Sequence, residues 1–384
     1  MNSTLKRGSN AHHGRISDAL KGFIKKNIVL CIAIAAAAVS SIIVVPDEQY
    51  LGYFDFKTLT CLFCVLAVVC ALKNINFFYI LACEIVRRFG TIRNSVIALV
   101  YITFIGSMLI ANDMALLTFL PLGYFVLSTT GKEKHMAFTF IMQNIAANLG
   151  GMLTPFGNPQ NLYLYTKFSI PTGEFVSIML LPFVLAIVLI TVCCIVFVKS
   201  EPIEVKGERE PINKKKAIIL GLLFSLSIAI VFRGIPYWIG LIVIPVVLLF
   251  VDRKALLDVD YPLLFTFVAF FIFSGNVARI EAVQMIFGSL LEKSTLLVST
   301  LSCQVISNVP SAILLSNFTD NYRELLVGVN IGGAGTLIAS LASLITFKEY
   351  TRHNPDGTGA YIKKFSLFNF GFLGILLAVM MIVM

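Results

Sequence analysis

Apolar residues run along this chain in long blocks instead of the periodic stripes of a soluble helix or the alternation of a half-buried strand. Uninterrupted blocks near 27–45, 175–198, 217–232, 237–251, 261–275 and 366–384 approach the roughly 20 residues a helix needs to cross the hydrocarbon of a bilayer. The shorter ones imply tilt or Tyr and Trp anchoring. The pattern predicts an all-α polytopic membrane protein. Threading gives about nine spans, plus two places where an apolar run is interrupted by polar residues and resumes too soon for a loop.

Those interruptions are the informative part of the pattern. One run, Ser95 to Leu127, breaks at Asn112-Asp113, and the other, Ser294 to Phe318, breaks at Ser307-Asn308-Val309-Pro310. Each reads as a re-entrant hairpin whose tip stops near the bilayer midplane, and each is preceded by an amphipathic stretch, 77–93 and 276–293. Downstream of each lies a second break, and the two second breaks match at a constant offset. Asn148, Gly150, Gly151, Thr154 and Leu162 coincide with Asn330, Gly332, Gly333, Thr336 and Leu344, while Asn158 and Asn161 pair with Ser340 and Ser343. Pro155 and Pro159 forbid a continuous helix through the first copy. A broken helix in hydrocarbon strands backbone N–H and C=O groups at several kcal/mol each unless the break lines a cavity. The alternative is a helix-packing surface of small residues.

The order span, surface helix, hairpin, broken helix, span thus occurs twice, over 58–198 and 261–384, with opposite starting sides. This predicts two inverted-topology repeats, an architecture whose discontinuous helices meet at the substrate site of secondary transporters. Around the repeats stand a tail, 1–26, a first scaffold span and loop, 27–57, a charged linker, 199–216, and further scaffold spans, 217–260.

Composition and charge sharpen the picture. Hydrophobic residues make up 58% of the 384 and charged residues only 13%, against roughly a quarter charged in soluble domains. The basic leader (Lys6, Arg7, Arg15, Lys21, Lys25, Lys26) is not a cleaved signal, because a long polar segment precedes the first apolar block. It places the N-terminus in the cytoplasm, and the threading leaves the C-terminus external in a cell (inner or plasma) membrane. The net charge of +9 reflects mainly this bias, so no nucleic-acid partner is expected. The cysteines read as small hydrophobes. His12, His13, His135 and His353 are all placed in loops, so a zinc site, a histidine proton relay and an intramembrane protease are not expected. With no phosphate-binding loop or nucleotide domain, any driving force is an ion gradient; no enzyme and no cofactor is expected.

Asp113 is threaded as the only carboxylate inside a membrane segment, where it costs roughly 2.5–3.5 kcal/mol on insertion scales. Sodium coordination, a protonation step and a structural hydrogen bond capping the hairpin each account for it. The candidate substrate- and ion-binding residues are Asn112, Asp113, Thr154, Gly157, Asn158, Asn161, Ser307, Asn308, Thr336, Ser340 and Ser343. They supply amides, hydroxyls and carbonyls without a fixed positive charge. An anionic solute would rest on amide donors, helix N-termini and a cation. Sodium fills that role, with Asn112, Asp113, Gly151, Asn308 and Gly333 as candidate ligands.

Taken together, Ala111-Asn-Asp-Met, Thr154-Pro-Phe-Gly-Asn-Pro-Gln-Asn161, Ser307-Asn-Val-Pro310 and the Gly332-rich segment resemble the ion transporter superfamily of divalent-anion sodium symporters, citrate carriers and arsenite efflux permeases. The resemblance implies a homodimer in the lipid bilayer, with a scaffold and a mobile transport part moving by an elevator-like mechanism. It implies that sodium or protons are the coupling ion and that hairpin tips and broken helices hold a small anionic or inorganic solute. Carboxylate symporters show Ser-Asn-Thr at both tips. Here the tips read Asn-Asp-Met and Ser-Asn-Val-Pro, closer to the arsenite permeases. Anion uptake, arsenite or antimonite efflux and sodium/proton antiport therefore stand as the transport readings, against a channel or sensor.

Overall fold

The computed structural model describes residues 27–203 and 213–384. The expected cytoplasmic tail, 1–26, and the middle of the linker, 204–212, lie outside the described residues. Among the described residues the chain is all helical, with 18 α-helices and one isolated antiparallel bridge between Thr91 and Pro202.

In chain order, α1 (Ile28–Ile43), α2 (Phe56–Asn74) and α3 (Phe77–Val86) lead to α4 (Ile92–Ile110) and α5 (Asn112–Thr129), which are separated by Ala111 alone. Next come α6 (Met136–Gly150), α7 (Pro159–Lys167) and α8 (Thr172–Phe197), then α9 (Lys214–Val231), α10 (Tyr237–Val251), the short α11 (Arg253–Leu257) and α12 (Tyr261–Val277). The chain continues through α13 (Glu281–Lys293), then α14 (Thr295–Ile306) and α15 (Asn308–Leu315), separated by Ser307 alone. It finishes with α16 (Tyr322–Ile331), α17 (Leu341–His353) and α18 (Thr358–Val383).

Among the described residues, five segments are long and apolar enough to cross a membrane: Phe56–Asn74, Ile92–Ile110, Thr172–Phe197, Arg253–Val277 and Thr358–Val383. The blocks at 27–45 and 237–251 form shorter apolar helices, and the block at 217–232 continues a helix begun by three lysines. The distribution of polarity is the reverse of a soluble bundle. Along α8, Leu180, Val184, Val188 and Val192 repeat every four residues on an exposed face, whereas Asn112, Gln143, Asn144, Asn158, Asn161, Asn330 and Asn369 are buried. An extended apolar surface of this kind fits a hydrocarbon environment.

The chain forms two compact units. The first comprises the described residues up to Phe54 together with Asp260–Glu281, so α12, expected within the second repeat, packs against α1. There the Asn276 amide donates to the hydroxyls of Ser40 and Ser41, both at 3.1 Å. Arg279 forks onto Asp47 at 2.7 and 3.1 Å and holds that carboxyl below its usual range. Tyr53 lies flat against Gly275, where a Cβ would strike its ring.

The second unit, Asp55–Val259 with Ala282–Met384, carries both interruptions and both second breaks. Side chains fix the helix starts at known donors: Asp55 accepts from Thr58 N, Ser294 from Leu297 N and Asn321 from Glu324 N, satisfying amides that have no intrahelical partner. On this unit Glu201 accepts from Lys132 and Lys134 at 2.5 and 3.1 Å, and its backbone carbonyl accepts from Ile92 N. The first residues of the linker are thereby stitched to both ends of the α4–α5 pair. The two lysines pull the Glu201 carboxyl down to about 2.

One expectation needs correction. His353 is not in a loop: it is the last residue of α17, where Glu349 one turn earlier accepts its Nε2 at 3.1 Å and supports the helix end as an i, i+4 pair.

Candidate functional site

Both interruptions are single-residue joints with the same backbone. Ala111 has φ 65° and ψ 152°, and Ser307 has φ 75° and ψ 159°. This region is almost reserved for glycine, and a side chain there costs on the order of 1–3 kcal/mol, a strain that persists only where the surroundings impose it. The first joint therefore falls one residue before the Asn112-Asp113 expected from sequence, and the second falls on Ser307 as expected.

Each joint delivers an asparagine as the first residue of the following helix, and in each the side-chain oxygen accepts from the next backbone amide. Asn112 Oδ1 takes Asp113 N–H at 3.0 Å, and Asn308 Oδ1 takes Val309 N–H at 2.9 Å. Three residues before each joint a backbone carbonyl accepts a threonine hydroxyl from the second break of the same half. Thr154 Oγ1 donates to Met108 O at 2.7 Å, and Thr336 Oγ1 donates to Gln304 O at 3.0 Å. The Gln304 amide in turn donates to Gly332 O at 2.8 Å and accepts from Thr336 N–H at 2.9 Å.

The two second breaks interlock through matched pairs. Ser340 Oγ donates to Asn148 Oδ1 at 2.8 Å, and Asn158 Nδ2 donates to Asn330 Oδ1 at 3.2 Å. Under the sequence offset, Asn148 corresponds to Asn330 and Asn158 to Ser340, so each pair is the image of the other. Asn330 also accepts from Gln160 at 3.4 Å and donates to Asn161 Oδ1 at 2.6 Å. Asn161 ties down the first break by donating to the carbonyls of Gly151, Met152 and Thr154 at 3.2–3.3 Å.

The joints meet this cluster from both sides. Asn112 Nδ2 donates to Asn148 Oδ1 at 3.2 Å, while Asn308 N–H donates to Ala339 O at 2.9 Å and Ser307 Oγ to the same carbonyl at 3.2 Å. A Cβ on Gly333 would lie 3.3 Å from Asn308 Nδ2 and 3.7 Å from Asn148 Oδ1, which places both asparagines against one glycine. At Gly151 a Cβ would collide with Asn158 Oδ1, and at Gly157 with the Gly151 carbonyl and the Thr154 hydroxyl. The first break is thus a tight knot of oxygen atoms.

Of the sequence candidates, Asn112, Asn158, Asn161, Asn308 and Ser340 are brought into one buried cluster, with Gly151, Gly157 and Gly333 packed into it. Thr154 and Thr336 brace the breaks against α4 and α14. Ser343 lies one step outward, accepting from Asn144 Nδ2 at 3.3 Å. Asp113 sits in the first turn of α5, where the helix N-terminus favours a negative charge.

Sequence reasoning missed Asn144, Gln143, Gln160, Gln304 and Asn369 and left Asn148 and Asn330 outside the site. Asn144 donates to Asn369 Oδ1 at 3.4 Å, and Gln143 bridges α4 and α5 by donating to Thr103 Oγ1 and Phe119 O at 3.0 and 3.1 Å. Gln160 stands inside the Asn-Pro-Gln-Asn motif, and Asn144 precedes Asn148 by one turn; both signals were readable. Asn158 Oδ1 and Gln160 Oε1 are buried acceptors without a hydrogen-bond donor. Among the described residues, no Lys, Arg or His takes part in the hydrogen bonds of the cluster.

This arrangement can offer amide donors and bare oxygens to a small solute or ion in an enclosed setting, and comparison with known proteins shows the family to which the chain belongs. Residues 20–322 match the family described as citrate transporter. An uncharacterized transporter of Methanocaldococcus jannaschii is 31% identical over 295 residues, covering 77% of this chain and 81% of the relative. The inner membrane protein YbiR of Escherichia coli is 30% identical over 300 residues, covering 77% and 80%. The span-length apolar helices of this chain fit an integral membrane protein, and the family match makes the chain a membrane transporter that belongs to the citrate transporter family within the ion transporter superfamily.

Proposed function

We propose that this chain is a secondary active transporter that couples an ion gradient, sodium or proton, to movement of a small anion such as a di- or tricarboxylate or an inorganic oxyanion. The observation that carries the reading is the convergence of both joints and both second breaks on one buried amide cluster. Matched hydrogen bonds in the two halves support two inverted-topology repeats, with α4–α5 and α14–α15 as re-entrant hairpins. An elevator-like movement and a homodimer complete the reading, carried over from the resemblance.

A cation is favoured by the donor set. Asn158 Oδ1 and Gln160 Oε1 are buried acceptors, each costing about 1–3 kcal/mol while unsatisfied, and Asn158 Oδ1 stands against Gly151 next to the Gly157 carbonyl. Hard oxygen ligands of this kind suit sodium. With that charge in place, the amides of Asn112 and Asn308 and the N-termini of α5 and α15 can receive an anion. The family name makes citrate the first solute to try.

The test is uptake of labelled citrate, succinate, sulfate, phosphate and arsenite into proteoliposomes, with an inward sodium gradient or a proton gradient. Saturable, gradient-dependent uptake of one anion is expected. Asp113 beside the first joint favours a second reading, efflux of arsenite or a related solute. Arsenite accumulation in inverted vesicles with no anion uptake would establish that reading instead. Conductance without saturation would contradict both and indicate a channel.

A further inference from the structure

The two joints are held by neighbouring residues of a single segment. Ala339 O accepts from the backbone and side chain of the second joint, through Asn308 N–H at 2.9 Å and Ser307 Oγ at 3.2 Å. Ser340, the next residue, donates to Asn148 Oδ1 at 2.8 Å, and that same oxygen accepts from Asn112 of the first joint at 3.2 Å. A continuous chain of contacts therefore runs from Asn112 through Asn148, Ser340 and Ala339 to Asn308.

Every member is buried: Asn112 and Asn308 are 3% exposed, Asn148 2%, Ser340 1% and Ala339 0%. In such surroundings water cannot replace a lost partner, so a displaced donor forces its acceptor to move or remain unsatisfied. Asn148 is also fixed from behind, because its Nδ2 donates to Asn144 O one turn earlier on α6 at 3.2 Å. The carboxamide cannot swing to follow one partner without releasing the other.

The corresponding link in the other half is missing. Asn330, the counterpart of Asn148, spends its side chain on Asn158, Gln160, Asn161 and Leu326 O. It makes no hydrogen bond to Asn308. Among the described residues, one line of hydrogen bonds thus connects the joints, and it passes through Ser340.

We propose that Asn148 and Ser340 are positioning residues forming a relay that makes the two joints one mechanical unit, with the residues 339–340 as its pivot. Displacement of the first joint is felt at the second without contact between them. The inference rests on reading the joints as solute-holding tips, and it adds that they cannot order independently.

The experiment places a reporter thiol at each joint, Met114→Cys or Val309→Cys, and measures its alkylation rate by a small maleimide in the purified full chain, against the same chain without the added thiol. The test variant is Ser340→Ala, a one-atom deletion on a small residue. Labelling is expected to rise about fivefold at both joints, the order of effect of losing one buried hydrogen bond, and Ser340→Thr is expected to restore the slow rate. Asn112→Ala should raise labelling at Val309→Cys in the Ser340 background, with no further rise once Ser340 is Ala. Changes confined to the first joint, or additive changes in the double variant, would overturn the relay.

The readout needs no solute, so the two readings fail separately. Cross-labelling without uptake of any solute keeps the relay and removes the transport assignment. Uptake with independent joints does the reverse.

Discussion

The first and second halves of the second unit solve the same backbone problem with different side chains. Both use a positive-φ joint, an asparagine that caps its own helix, and a threonine braced against the carbonyl three residues before the joint. The first half then fills its break with amides and two prolines, whereas the second uses hydroxyls at Ser340 and Ser343 and a glutamine, Gln304, reaching in from α14. The outcome is asymmetric. Bare acceptors remain at Asn158 and Gln160 in the first break, while Ser340 is engaged and Gln304 both donates and accepts. Similar backbones therefore need not make equivalent half-sites, and a cation is expected on the first-break side.

The sharpest way to break this comparison is at its paired glycines. Gly151→Ala would drive a methyl group into Asn158 Oδ1, whereas Gly333→Ala meets nothing closer than 3.2 Å. Overpacking of the first kind costs about 1–3 kcal/mol and should reduce uptake at least about tenfold, a loss of roughly 1.4 kcal/mol or more in transition-state terms. Gly333→Ala should lose much less. Equal losses in a proteoliposome assay would show that the halves are alike after all.

Backbone strain gives a second, smaller contrast. Ala111→Gly should relieve strain and stabilise by up to about 1 kcal/mol after the entropy cost of glycine. Ser307→Gly gives up the hydroxyl bond to Ala339 O and should come out near zero or below. Thermal unfolding in detergent distinguishes the two. Thr154→Val and Thr336→Val should each destabilise by about 1 kcal/mol, with Thr336→Val the milder, because Gln304 Oε1 still accepts from residue 336 N–H; a milder Thr154→Val would reverse the assignment.

The smallest effect concerns the strap at the base of α4–α5. Glu201 has its carboxyl depressed to about 2 from an ordinary 4.5 by Lys132 and Lys134. A depressed carboxyl adds stability that is fully present above the unfolded value and is lost as pH falls through the folded one. The strap should thus contribute evenly from pH 6 to 8, in roughly the range where carboxylates are ionised, and fade between about 4.5 and 2. Glu201→Gln should flatten that acid limb and remove part of the salt sensitivity of unfolding at neutral pH. An unchanged acid limb would show the contact to be idle.

Much of this was legible in the chain. Pro155, Pro159 and the glycine pairs announced the broken helices, and the offset between Asn148 and Asn330 announced the matched contacts. The location of the first joint was not legible, because a non-glycine residue at positive φ leaves no mark in composition, and Ala111 looks like ordinary helix. Gln143, Gln304 and Asn369 were equally hidden. The partner of each lies far along the chain, as with Gln304 and Gly332 or Asn369 and Asn144, so no local pattern marks it. His353 closes α17, and Glu349 one turn before it is the sequence mark of that helix end. Helix count also outran the pattern: α1 and α10 are shorter than a full span, and α3, α7, α15 and α16 are only 8–10 residues each.

The measurement that tests the central claim most directly is gradient-driven citrate uptake by Asn112→Ala and Asn308→Ala, one variant for each joint, beside the unaltered protein. Each variant is checked for the same elution volume and unfolding temperature as the parent. Loss of most uptake in both, with folding intact, is the expected result. Parental uptake in both would place the solute elsewhere and contradict a site built from the two joints.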